Sequence, residues 1–252
     1  MIQNHVAIDN RANLKYEEVV GDIEYFFRAE YELLQPMYDA LRSLGCRRLV
    51  DAGCGIGAQA VAAARCEYEV IALDHSMAAV IAARYHAERL GLHLRVVAGD
   101  IRRLPFALQA NFDVVQCLGN VLLLCPSRGA ARLLLDGLRG LLRPGGFLVV
   151  GYRPYSLSSR WRTRPESVGN RPASSRLYYR VRGSPSPERI LLELATRQGG
   201  QSYVVNHTFE LLSLSDEWFL NSVGQLKLSI FRHVRTQSGF RYYLCRDREG
   251  PQ

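Results

Sequence analysis

Arg-Arg-Leu-Val-Asp-Ala-Gly-Cys-Gly-Ile-Gly, residues 47–57, decides the fold. The apolar pair Leu49 and Val50 ends in an acid, Asp51. Three alternate glycines follow, Gly53, Gly55 and Gly57, and then an Ala-rich stretch from Ala58 to Ala64. The order reads as strand, tight turn, helix. Glycine permits backbone conformations closed to other residues and lets a ligand approach the main chain closely. The first amides of the following helix point at whatever occupies the turn. A dinucleotide site spaces its glycines G-x-G-x-x-G and seats a pyrophosphate on those amides. Here the spacing is G-x-G-x-G, with Ala58 where the third dinucleotide glycine would stand. A glycine-rich connection with no ligand is the plainer alternative, so the neighbouring elements must decide.

Downstream, the apolar run Tyr68 to Leu73 predicts a second strand ending at Asp74, and Met77, Val80, Ile81 and Tyr85 recur at helical spacing until Gly91. Leu94 to Ala98 predicts a third strand running into Gly99-Asp100, and Phe112 to Leu118 a fourth, almost wholly apolar as a strand covered on both faces should be. Ser127 is placed to cap a helix whose Leu134, Leu138, Leu141 and Leu142 form an apolar face. Arg143-Pro-Gly-Gly146 should break that helix before a fifth strand, Phe147 to Val150. Alternating strands and helices argue for a parallel, Rossmann-like α/β sheet with helices on both faces. Ligands of such sheets sit beyond the carboxyl ends of the strands. The glycine turn, Asp74, Asp100 and Asn120 all fall there, which predicts one site built from four successive loops.

Upstream, Asp22 to Leu44 predicts a helix rich in aromatic residues, kinked or split at Pro36. Downstream, Arg153 to Arg171 reads as a connection rich in Pro, Ser and Arg. Beyond it come strands at Leu177–Val181, Ile190–Leu194, Gln201–Leu212, Leu226–Phe231 and Arg241–Cys245, with a short helix at Asp216–Val223. The expected division is an N-terminal helical lid at 1–44, an α/β core at 45–155, and an antiparallel β extension over 156–252 that lengthens the sheet and roofs the site.

Composition narrows the class. The chain has 252 residues, 48% hydrophobic and 22% charged, ordinary for one globular α/β unit with a cap. No apolar run approaches the roughly 20 residues of a membrane span, and the N-terminus lacks a signal-peptide pattern, so a cytoplasmic protein is expected. The six cysteines form no C-x-x-C pair and lie mostly in apolar runs, which predicts neither a disulfide nor a metal site. The net charge of +8 is largely arginine, concentrated at Arg153, Arg160, Arg162, Arg164, Arg171, Arg176, Arg180 and Arg182. Without a nucleic-acid module around it, that cluster favours an anionic small substrate or a solvated surface over nucleic acid.

Asp74 can accept the two hydroxyls of a ribose. At Asp100-Ile101 an acid can take an adenine amino proton while the apolar neighbour covers the ring. With the glycine turn and the Leu142-Arg-Pro-Gly-Gly-Phe147 break, these elements resemble class I S-adenosylmethionine-dependent methyltransferases. Read in order, Gly45-Cys-Arg-Arg-Leu-Val-Asp51, Cys117-Leu-Gly-Asn120 and Tyr152-Arg-Pro-Tyr155 resemble the glycine and glycine/sarcosine N-methyltransferase family over about residues 25–155. The resemblance implies S-adenosylmethionine as methyl donor. It implies that Arg28, in Arg-Ala-Glu-Tyr31, grips the donor's carboxylate, and that Asn120 and Arg153 hold an amino acid, Arg153 pairing with its carboxylate. It also implies a homodimer or homotetramer. The donor site is expected to draw further on Asp51, Gly53, Cys54, Gly55, Asp74 and His75, and on Met77, Asp100, Ile101, Cys117 and Leu118.

The stretch Ser156 to Gly183 is richer in arginine than the resemblance explains, and the family's C-terminal tyrosines have only candidates here: Tyr152, Tyr155, Tyr178, Tyr179 and Tyr203. The expected activity is methyl transfer to a small acceptor, anionic or carboxylate-bearing, through the nitrogen of an amine or amino-acid-like metabolite. The alternative is an O- or C-methyltransferase of a natural-product intermediate, phosphorylated or diphosphate-bearing, for which His207 is the candidate base. An RNA methyltransferase ranks last. Asn120, Arg153, Tyr155 and His207 are therefore the candidate catalytic residues.

Overall fold

In the computed structural model, residues 23–101, 111–163, 177–198, 202–237 and 239–248 are described. Five strands, β1 (Arg48–Ala52), β2 (Glu69–Asp74), β3 (Arg95–Ala98), β4 (Phe112–Cys117) and β5 (Leu142–Tyr152), form the parallel part of the main sheet. β10 (Leu228–Arg235) and β11 (Arg241–Asp247) complete it, giving the order β10-β11-β5-β4-β1-β2-β3 with β11 antiparallel to both neighbours. The order reverses between β1 and β4, the crevice where open α/β sheets take their ligands.

Alternate residues of each strand serve opposite faces. Leu49, Val114 and Val149 pack beneath α1 (Ile23–Ser43), α2 (Ala58–Arg65) and α3 (Met77–Arg89). Val50, Val115, Leu148 and Val150 face the other layer, with α4 (Arg128–Arg139) and α5 (Asp216–Gln225). Ser127 caps α4 by accepting from Ala130 N at 3.1 Å, and Ser215 caps α5 by accepting from Trp218 N at 3.1 Å. Each such cap stabilises its helix by about 1 kcal/mol. In α4, Ala131, Leu134, Leu135 and Leu138 are buried, and each leucine contributes about 2 kcal/mol by leaving water.

Four features differ from the sequence reading. α1 is continuous, carrying Pro36 on its exposed side while Phe27, Leu34, Tyr38 and Leu41 face the sheet. The Arg-Pro-Gly-Gly segment lies inside β5 rather than before it. Phe112 pairs with Leu142 but Val114 with Phe147, so residues 143–146 bulge, and Gly145 has φ +74°. On α3, Val80 is buried whereas Met77, Ile81 and Tyr85 are exposed. The C-terminal strands divide between two sheets: only β10 and β11 lengthen the main one. β6 (Ser158–Thr163), β7 (Leu177–Gly183), β8 (Arg189–Gln198) and β9 (Ser202–Leu212) form a separate antiparallel sheet. β6 falls within the stretch expected to be a plain connection.

Two arginines fasten this second sheet to the segment before α4. Arg189 Nη1 donates to the carbonyls of Cys125 and Pro126 at 3.0 and 2.9 Å, and Arg128 Nη2 donates to Ser213 O at 3.1 Å. No helix among the described residues is long and apolar enough to cross a membrane. Residues 1–22 of the expected lid, and Arg164, Arg171 and Arg176, lie outside the described residues.

Candidate active site at the rim of the sheet

The glycine turn is shaped by its neighbours. Gly53 and Cys54 donate to Leu73 O at 2.8 and 3.0 Å, tying the turn to the end of β2. Gly53 has φ +84°, and a Cβ there would lie 2.6 Å from a methyl of Val121, in the 3-10 turn Val121–Leu124 that follows β4. Gly57, at φ +90°, would meet Ala83 of α3 at 3.0 Å. Gly55 differs: a Cβ built on it meets nothing within 4 Å. Two glycines serve packing and the third leaves the backbone open.

Three acids stand on this rim. Asp74 accepts from Gly55 N and from Ser76 N, both at 2.9 Å, with His75 Nδ1 at 3.4 Å. A carboxylate has about four acceptor sites, so both oxygens keep capacity for ribose hydroxyls. Asp51 is fully buried, and its Oδ2 has no hydrogen-bond partner. Burial, with Asp74 and Glu30 nearby and only partial compensation from Gln116 and Ala60 N, pushes its carboxyl up to about 7. Beneath it, Tyr38 donates to Gln116 Oε1 at 2.8 Å. Asp100 and Ile101, partly buried, follow β3, and Ile101 packs on the apolar cluster under the second sheet. Such a rim suits a cationic nucleoside and disfavours a pyrophosphate, which would meet Asp51 and Asp74 as like charges.

The other donor candidates divide. Cys54, Cys117 and Leu118 are buried within the turns, and burial raises the Cys54 and Cys117 thiols well above their ordinary range. They shape the floor as apolar groups. His75 and Met77 are about half exposed just past Asp74. Phe27 of α1 packs with Ile56 of the turn and Ala58 and Val61 of α2, so the start of α1 lies beside the glycine turn. Arg28, next in sequence, is exposed, with its guanidinium 5.6 Å over the ring of Tyr25.

At the ends of β4 and β5 the acceptor candidates meet. Asn120 has φ +72°, and its Oδ1 accepts from Arg153 N at 2.7 Å. Arg153 is buried, with its guanidinium 4.6 Å over Phe240 and 5.8 Å over Tyr155. Cation–π contact of this kind holds a buried arginine in place. Phe240 is carried by the β10–β11 turn, whose Thr236 N donates to Phe240 O at 2.9 Å. Tyr155 meets Tyr179 edge to face at 6.3 Å. His207 lies on β9, opposite Leu194. Sequence reasoning missed Gln116, Val121 and Phe240. Only the turn signal around Gly239 could have drawn attention to the last.

A doubly wound sheet in this strand order, with a glycine turn after β1 and acids ending β1 and β2, resembles the fold of class I S-adenosylmethionine-dependent methyltransferases. Residues 49–146 match the family described as Methyltransferase domain. The chain is 30% identical over 117 residues to the glycine/sarcosine N-methyltransferase of Aphanothece halophytica, covering 46% of this chain and 44% of that protein. It is 26% identical over 193 residues to the glycine N-methyltransferase of Mus musculus, covering 68% and 59%. The chain thus spans about half the length of the curated relatives it matches. Among solved structures, an S-adenosylmethionine-dependent methyltransferase from Clostridium acetobutylicum shares the fold, with a TM-score of 0.65 at 13% identity, over 97% of this chain and 100% of that one.

Proposed function

We propose that this chain transfers a methyl group from S-adenosylmethionine to the nitrogen of a small amine or amino-acid-like metabolite. The residues at the rim fit that donor. The buried Asp51 Oδ2 offers a counter-charge to a cation, Asp74 keeps acceptor capacity, and the open face of Gly55 admits close approach. When bound, S-adenosylmethionine supplies a methyl group activated by a sulfonium. The rest falls to this chain: hold the acceptor in line, keep water out and let the acceptor shed a proton.

The observation that supports the reading is the buried Arg153 just past β5, its backbone N tied to Asn120 and its guanidinium held over Phe240. Guanidinium matches a carboxylate in a bidentate way that lysine cannot. Its fixed positive charge, in a site of low polarity, also depresses the pKa of a nearby ammonium, so an amine reaches the methyl group neutral. A dedicated base is then unnecessary. Asn120 acts as a positioning residue: its side chain ties the loop after β4 to the end of β5.

The test is a panel of amines and amino acids incubated with the enzyme and methyl-labelled S-adenosylmethionine, with products read by mass spectrometry. The reading expects label on nitrogen of a carboxylate-bearing amine, and a loss of roughly a hundredfold or more in kcat/KM for Arg153→Lys. Label found on oxygen or carbon, or an unaffected Arg153→Lys variant, contradicts it.

A further inference from the structure

The second sheet presents one face to the rim, and its register shows which residues share that face. Directly opposed residues of an antiparallel pair point the same way. Tyr179, Leu194 and His207 form one row across β7, β8 and β9, and Val181, Leu192 and Phe209 form the next. Ile190 and Leu211 form a third. These rows pack on the apolar cluster that includes Leu122, Leu123 and Tyr152 of the rim.

Burial along the rows is uneven. Val181, Ile190, Leu192, Leu194 and Leu211 are each buried, as an inner face pressed on a core should be. Tyr179, His207 and Phe209 share that face yet stay partly open, as does Tyr155, which touches Tyr179. His207 and Phe209 lie 6.2 Å apart, ring to ring. Rings therefore run from the Arg153 guanidinium through Tyr155 to Tyr179, and on the same face of the sheet, beyond Leu192 and Leu194 of β8, stand His207 and Phe209 of β9.

We infer that the acceptor carries an aromatic or similarly flat apolar body, seated against Tyr155, Tyr179 and Phe209 while its carboxylate meets Arg153. This rests on the methyl-transfer reading above and names the substrate class for the same site. Tyr179 and Phe209 are the residues that determine specificity. Edge-to-face and stacked contacts with these rings discriminate by ring content rather than by charge.

The test is calorimetry on the full chain saturated with S-adenosylhomocysteine, titrating glycine and L-phenylalanine in parallel. Burial of one aromatic side chain predicts that L-phenylalanine binds roughly tenfold or more tighter than glycine. Tyr179→Ala and Phe209→Ala each lose that preference about tenfold, whereas Tyr179→Phe, which keeps the ring, retains it. S-adenosylhomocysteine binding checks that each variant is folded. If the donor product binds but glycine matches or exceeds L-phenylalanine, or neither acid binds, the aromatic-acceptor inference is wrong and the donor-site reading survives. If S-adenosylhomocysteine itself does not bind the unaltered chain, both fall together.

Discussion

Replacing Asp51 with asparagine should stabilise the ligand-free protein, and by an amount that depends on pH. The carboxyl rises from 3.8 to about 7 on folding, chiefly because it is buried. The native pKa lies above the unfolded one, so folding favours the protonated acid. No stability is lost below pH ~4; it then falls as pH rises toward 7 and levels off beyond. Integrating that shift gives a cost of about 2 kcal/mol at pH 5 and about 4 kcal/mol at pH 8. Asp51→Asn keeps the shape and removes the ionisation, so its advantage over the parent should grow by roughly 2–3 kcal/mol between those pH values. For a chain of this size that corresponds to a rise in Tm difference of about 5–10 °C. Urea or thermal unfolding of both proteins at pH 5 and pH 8, without ligand, measures it. The same variant should bind S-adenosylmethionine at least tenfold more weakly, because the cation loses its buried counter-charge. A variant that is destabilised equally at both pH values would refute the reasoning, since Asp51 would then be a satisfied structural acid.

Gly53→Ala should cost more than 2 kcal/mol in urea unfolding, because its Cβ would enter Val121 at a left-handed φ, whereas Gly55→Ala should fold normally apart from its own backbone strain and lose donor affinity instead. Asp113 runs opposite to Asp51. Burial alone would raise it, but the amides of Arg48 and Arg47 and the Arg143 guanidinium together hold it below the usual carboxylate range. Asp113→Asn should therefore destabilise by about 2 kcal/mol at pH 7, with the difference fading as pH falls through the native pKa. Arg189→Ala leaves the carbonyls of Cys125 and Pro126 without their donor, and should cost about 1–3 kcal/mol while speeding hydrogen exchange in β8 and β9.

The core was legible because its strands are covered on both faces and read as apolar runs, and because Ser127 announces a helix start. β6 was not legible: Ser-Ser-Arg-Trp-Arg-Thr looks like a polar connection and, among the described residues, pairs with β7 alone. The bulge in β5 hid behind Pro and Gly, which usually end a strand rather than interrupt one. How the C-terminal strands divide between two sheets is a matter of pairing partner, which a two-residue alternation does not encode. The same limit applies to the site. Acids at strand ends could be placed on one rim from order alone. That Asn120 braces Arg153 N, or that Phe209 shares a face with Tyr179, depends on contacts between residues 33 apart and on strand register.

Isothermal titration of the purified chain with S-adenosylmethionine, and separately with NAD, addresses the central claim. The acids of the rim predict one-to-one binding of the sulfonium nucleoside and no detectable heat from NAD. Uptake of NAD with indifference to S-adenosylmethionine would contradict the account.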